Sequence, residues 1–120
     1  MIEGRTTTEQ WATFSRHGSA ELVRLAGEID LTNASDIGRA IATHTTAAGA
    51  VLIDLTEVSF LDSAGVRLLD ALAGDLVAHG TPFRLVVGER GAARMTLQLC
   101  AFRDELLATD LERAAAELGG

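Results

Sequence analysis

Apolar and polar positions follow two rhythms along this chain. From Gln10 to Arg16 they roughly alternate, as expected of a half-buried strand. His17-Gly18-Ser19 reads as a turn, and Glu21 to Gly27 as the hairpin partner. Gly27-Glu28-Ile29-Asp30-Leu31 leaves that strand, and Thr32 or Asn33 is expected to cap a helix. In that helix Ile37 and Ile41, with Ala34 and Ala48, share one face. Ala50-Val51-Leu52-Ile53-Asp54-Leu55 is a nearly continuous aliphatic run, suited to a central strand covered on both faces. A long helical pattern follows, from Ser63 to about His79. It places Val66, Leu69, Leu72, Ala73, Leu76 and Val77 in one broad apolar stripe. Gly80-Thr81-Pro82 stops it. Phe83 to Val87 reads as another buried strand, and residues 90–100 as a helix with Met95, Leu99 and Ala92 facing inward. Leu106 to Thr109 gives a short last strand. Asp110 caps a final helix, Leu111 to Leu118, ended by Gly119-Gly120.

Strands that alternate with helices after an opening hairpin predict an α/β fold. Its central sheet is mixed, with parallel crossovers and about four helices. A single domain is expected over residues 10–118, preceded by a loose N-terminus over residues 1–9. Ile2-Glu3-Gly4-Arg5 spells the recognition site of a tag-removing protease, so these residues carry no weight in the fold.

Composition narrows the chemistry. Seventeen acids face ten bases, for a net charge of −7, and every base is arginine. Without lysine there is no Schiff base and no P-loop amine. An acidic surface argues against direct nucleic-acid binding, which needs clustered cations. No apolar run approaches the roughly 18 residues of a spanning helix, so no membrane insertion is expected. The N-terminus lacks the apolar core of a secretory signal. Cys100 is the only cysteine, so no intramolecular disulfide can form, which fits a cytoplasmic chain. It reads as a small core residue. His17, His44 and His79 stand singly, and no metal or other cofactor is expected.

Asp62-Ser63 is the most informative pair. Asp62 is a good N-cap, which makes Ser63 the first residue of its helix. Ser63 sits in a strand-to-helix turn. A hydrolase elbow would place Gly two residues before the serine, where this chain has Leu61. Free N–H groups and the positive end of the helix would instead tolerate a phosphate there. Gly65 leaves backbone uncovered close by. On a helical wheel Ser63, Arg67, Asp70 and Gly74 form a polar stripe beside the buried one, where a partner could dock. The plain alternative is that Asp-Ser is only a common helix cap.

Several of these segments together resemble the STAS domain family, named for sulfate transporters and anti-sigma factor antagonists. They are Gly27-Glu28-Ile29-Asp30-Leu31, Leu52-Ile53-Asp54-Leu55, Val58 to Val66 and Asp110-Leu111-Glu112-Arg113-Ala114. Phe60-Leu61-Asp62-Ser63-Ala64-Gly65 looks like the Asp-Ser-Ser/Thr-Gly phosphoacceptor motif of the bacterial antagonists. Ala64 departs from it where many relatives carry Ser or Thr.

The resemblance implies a non-enzymatic switch. The unphosphorylated form binds an anti-sigma factor that is also a serine kinase, and so frees a sigma factor for transcription. Phosphorylation of Ser63 ends that binding, and a phosphoserine phosphatase restores it. The resemblance also places Asp30, Leu31 and Thr32 beside the start of the Ser63 helix. The partner-binding set is then Asp30, Leu31, Thr32, Asp62, Ala64, Gly65, Arg67 and Asp70. Asp30 could equally just end a strand and help cap a helix. A second implied reading is a scaffold subunit of a transport or stress-sensing complex, in which Ser63 is a cap and nothing more.

Overall fold

The computed structural model describes residues 7–8, 11–89, 91–99 and 106–118. Among the described residues six strands form one sheet, and their spatial order is the order of the chain. They are β1 (Thr7–Thr8), β2 (Ala12–His17), β3 (Ala20–Ile29), β4 (Val51–Leu61), β5 (Phe83–Val86) and β6 (Leu107–Ala108). The first three pair antiparallel. β3, β4, β5 and β6 run parallel. The crossovers between the parallel strands are α1 (Ala34–Thr45), α2 (Ser63–Ala78) and α3 (Ala92–Leu99), and α4 (Leu111–Glu117) follows β6. Gly18, at φ +63, makes the tight turn of the β2–β3 hairpin, where a side chain would be strained.

Alternation within the strands divides the interior into two layers. Val23, Leu25, Val51, Ile53 and Leu55 face α1, α2 and α3, which contribute Ile37, Ile41, Leu69, Leu72, Ala73 and Leu97. Leu22, Leu52 and Val86 face α4 through Ala114. Val51 to Leu55 are all buried, so the aliphatic run is indeed a strand covered on both sides. Asp54 lies within it at only 6% exposure. Burying a carboxylate is costly unless its oxygens are satisfied. Arg24 Nε donates to it over 3.3 Å, and Thr56 donates through N at 2.9 Å and Oγ1 at 2.6 Å.

The structure corrects several expectations. Thr7–Thr8, within the segment expected to be loose, pair with Phe14 and Thr13 as the edge strand β1. Two β-branched residues are too few to show a period. β4 runs through the motif segment to Leu61, well beyond the expected end at Leu55. Val77 closes no stripe and is 56% exposed. It lies one step past Leu76, beyond the face that Leu69, Leu72, Ala73 and Leu76 already fill.

α3 presents the opposite face from the one expected. Ala93 and Leu97 are buried, while Met95 is 63% and Leu99 81% exposed. Residues two apart on a helix point roughly 200° apart, so Leu97 and Leu99 cannot both face the sheet. With Leu97 inward, Ala93 comes beneath it one turn earlier. Cys100, Gly119 and Gly120 lie outside the described residues.

Candidate functional site

β3 and β4 deliver two chain segments to one end of the sheet. β3 ends at Ile29 and β4 at Leu61, paired in register. The Asp62 N–H then donates to the Ile29 carbonyl over 3.2 Å, which pins the start of α2 to the end of β3. Asp62 caps α2 as expected. Its Oδ1 accepts from Ala64 N at 2.9 Å and Gly65 N at 3.1 Å. Ser63 is thereby fixed as the first helical residue, and its side chain is exposed.

Gly65 is there because the two segments meet closely. A Cβ at this position would overlap Leu61 Cδ1 and come within 3.1 Å of Ile29 Cγ2 and 3.3 Å of the Ile29 carbonyl oxygen. Ile29 and Leu61 are both buried and cannot easily yield. Gly65→Ala is expected to cost about 1–3 kcal/mol of stability, as overpacking does. The check is urea denaturation. A variant as stable as the parent would mean that this contact relaxes freely.

The loop after β3 organises itself. The Asp30 carboxylate accepts from Thr32 N at 2.9 Å and Thr32 Oγ1 at 2.5 Å. Asn33 Oδ1 accepts from Asp30 N at 3.0 Å, and Asn33 Nδ2 donates to the Glu28 carbonyl at 2.8 Å. Asn33 occupies the N-cap of α1 without bonding the helix's own N–H groups. It braces the loop instead. The Thr32 hydroxyl and backbone N–H hold the Asp30 carboxyl below the usual carboxylate range.

Asp30 therefore stays ionised at pH values where a free aspartate protonates. Its contribution to loop order is present above the ordinary carboxylate pKa and is lost as pH falls through the lowered one. Carboxyl-detected NMR titration should find Asp30 below the ordinary aspartate range, and Thr32→Ala should bring it back towards that range. An unchanged titration in that variant would remove Thr32 as the cause.

α1 and α2 meet directly beside this end of the sheet. Gly38 allows the approach, since a Cβ there would lie 2.7 Å from Leu68 Cδ1. Between the helices is a depression of about 350 Å³, lined by Leu31, Ala34, Gly38, Arg39, Ala64 and Arg67, among others. Leu31 is 77% exposed and Phe60, two residues before the Asp62 cap, is 49% exposed.

The loop and the start of α2 are thus brought together. Leu31, Ala64 and Arg67 share the depression, with Ser63 and Asp62 at its edge in sequence. Gly65 is buried beneath, as a packing residue. Asp30 and Thr32 act on each other rather than on α2. Asp70 is exposed two turns along α2 from Ser63, away from the depression. Sequence reasoning passed over Phe60, Gly38 and Arg39. Phe60 stands next to the apolar Leu61, so the local pattern did not mark it as exposed. Gly38 and Arg39 had no signal, because only the packing of α1 on α2 gives them a role.

Other possible chemistry is sparse. His79 Nδ1 lies 2.8 Å from the Asp75 carbonyl oxygen, His17 lies 3.3 Å from Glu112, and His44 stacks on Phe14 at 3.9 Å. Among the described residues no group of three or more His, Cys, Asp or Glu could hold a metal ion. No helix among them is long and apolar enough to cross a membrane.

Comparison with known proteins agrees with this fold. The STAS domain family model covers residues 13–116. The chain is 31% identical over 98 residues to the anti-sigma-F factor antagonist RsfA of Mycobacterium tuberculosis, spanning 79% of this chain and 76% of RsfA. The crystal structure of an anti-sigma factor antagonist from Mycobacterium paratuberculosis superposes with a TM-score of 0.78 at 27% identity. That match covers 99% of this chain and 98% of the other. The anti-sigma factor antagonist SpoIIAA in its unphosphorylated form shares the fold, with a TM-score of 0.71 at 21% identity over 88% of this chain and 93% of its own.

Proposed function

This chain belongs to the STAS domain family, and from that membership we infer that it works as an anti-sigma factor antagonist. It binds an anti-sigma factor and thereby frees a sigma factor. The relatives named as such antagonists support this reading. The anti-sigma factor is a serine kinase acting on Ser63, and the chain is its substrate and carries no catalysis of its own. The γ-phosphoryl group of ATP passes to Ser63 Oγ, the hydroxyl proton is lost and ADP leaves. A phosphoserine phosphatase returns the hydroxyl with water and releases inorganic phosphate. The setting is cytoplasmic.

One observation carries the choice of residue. Ser63 is exposed at the first position of α2, with its backbone fixed by the Asp62 cap. Ala64, the next residue, lines a depression that it shares with the exposed apolar side chain of Leu31. A kinase can reach the hydroxyl, and a partner can cover the surroundings. About two added charges in such an interface oppose its burial.

The test is incubation with candidate anti-sigma kinases and ATP, followed by intact-mass measurement and peptide mapping. One phosphate on Ser63, lost in Ser63→Ala, is expected. A phosphate mapped to another serine or to a threonine would overturn the assignment.

A further inference from the structure

Arg67 and Arg39 flank the depression from opposite helices. They form a local cationic pair on a chain of net charge −7. Arg39 is tied loosely to Asp36, at 3.6 Å between exposed groups. Arg67 is exposed and makes no ion pair among the described residues. Its place in α2 is four residues after Ser63. Side chains so spaced are neighbours on a helix, about 5–6 Å apart at Cβ. An acid placed N-terminal to its base is the better order. A guanidinium also offers a phosphate two parallel N–H donors. The other charges nearby leave Arg67 available. Asp62 is engaged as the cap and Asp36 faces Arg39, while Asp70, three residues on and also a helical neighbour, makes no ion pair with Arg67.

We propose that Arg67 receives the phosphate of Ser63, and that this pairing takes away one of the two cations flanking the depression. The inference rests on Ser63 being the phosphoacceptor. Phosphorylation then does more than add charge to the docking surface. It also withdraws from the partner a guanidinium that the unmodified surface presents. Arg67 is a positioning residue in this scheme, and its exposed side chain leaves the fold independent of it.

The experiment uses the full chain with phosphoserine incorporated at position 63 during synthesis, so that no kinase is required. Phosphorus NMR follows the second ionisation of the phosphate, ordinarily near pKa 6. Pairing with Arg67 lowers it. Arg67→Gln is expected to raise it by about 0.3 unit or more, as an (i, i+4) ion pair implies. Arg113→Gln on α4 removes the same charge elsewhere and is expected to leave it unmoved. The Arg67 Nε–H resonance should also shift between the serine and phosphoserine forms. A phosphate that titrates identically in the parent and Arg67→Gln chains, or that responds equally to Arg113→Gln, overturns the proposal. Failure of every candidate kinase to modify Ser63 would instead overturn the phosphoacceptor assignment, and the titration reads separately from it.

Discussion

Ser63→Glu is expected to retain the parent's stability and to lose its partner. The substitution sets one negative charge at the first residue of α2, where such a charge gains roughly 0.3–1 kcal/mol for an isolated helix. Ser63 is exposed, so nothing in the interior must move to admit the longer side chain. Thermal unfolding should therefore match or slightly exceed the parent's. In the complex the same carboxylate would be covered by the partner. A loss of even ~3 kcal/mol there lowers affinity more than about a hundredfold. Ser63→Ala adds no charge and should bind as the parent does. Calorimetric titration of both variants against the anti-sigma partner decides the matter. Equal affinities would mean that charge at this position is not the switch, and would favour a scaffold role in which Ser63 only begins a helix.

The second large effect concerns α3. Leu97 is fully buried between this helix and the sheet, while Leu99, two residues on, is 81% exposed. Leu97→Ala should cost about 2–5 kcal/mol, from lost burial and the cavity left behind. Leu99→Ala should stay within about 0.5 kcal/mol of the parent. Urea denaturation of the two variants gives the comparison directly. A costly Leu99→Ala beside a harmless Leu97→Ala would reverse the face assigned to α3.

That helix also marks where reading the sequence ran out. Ala92, Ala93, Met95, Leu97 and Leu99 place apolar residues on both sides of an eight-residue helix. Either phase buries a leucine, and only the sheet decides which. α2 was legible because it is twice as long. Its stripe repeats through Leu69, Leu72, Ala73 and Leu76, and its start is marked by an aspartate that caps it. The buried strand at Val51 to Leu55 was legible for a similar reason, since an unbroken aliphatic run suits few other places. Its extension to Leu61 was hidden by Thr56, Glu57 and Ser59, polar residues that are all exposed.

The candidate site divides along the same line. Ser63 and Asp62 are neighbours in sequence and announce themselves. The depression beside them needs α1 packed on α2 through Gly38, a contact that no local pattern encodes. Asn33 is instructive in a different way. It stands where a cap was expected, yet its side chain bonds Asp30 N and the Glu28 carbonyl. Residue preference gave the position of the helix start, and the geometry of the loop decided the bonds.

Strand order has a consequence for how the molecule is made. Each strand of the sheet lies beside its predecessor in the chain. A polypeptide emerging from the ribosome, at roughly 5–20 residues per second, can thus add every new strand to an edge already built. No strand has to be inserted between two that have already paired. Both segments of the candidate surface, the Asp30–Thr32 loop and the start of α2, lie before residue 78, where α2 ends. That surface can take shape while α3 and α4 are still being synthesised. Those later elements close over β4 and β5 and lock a platform whose outward face is already set.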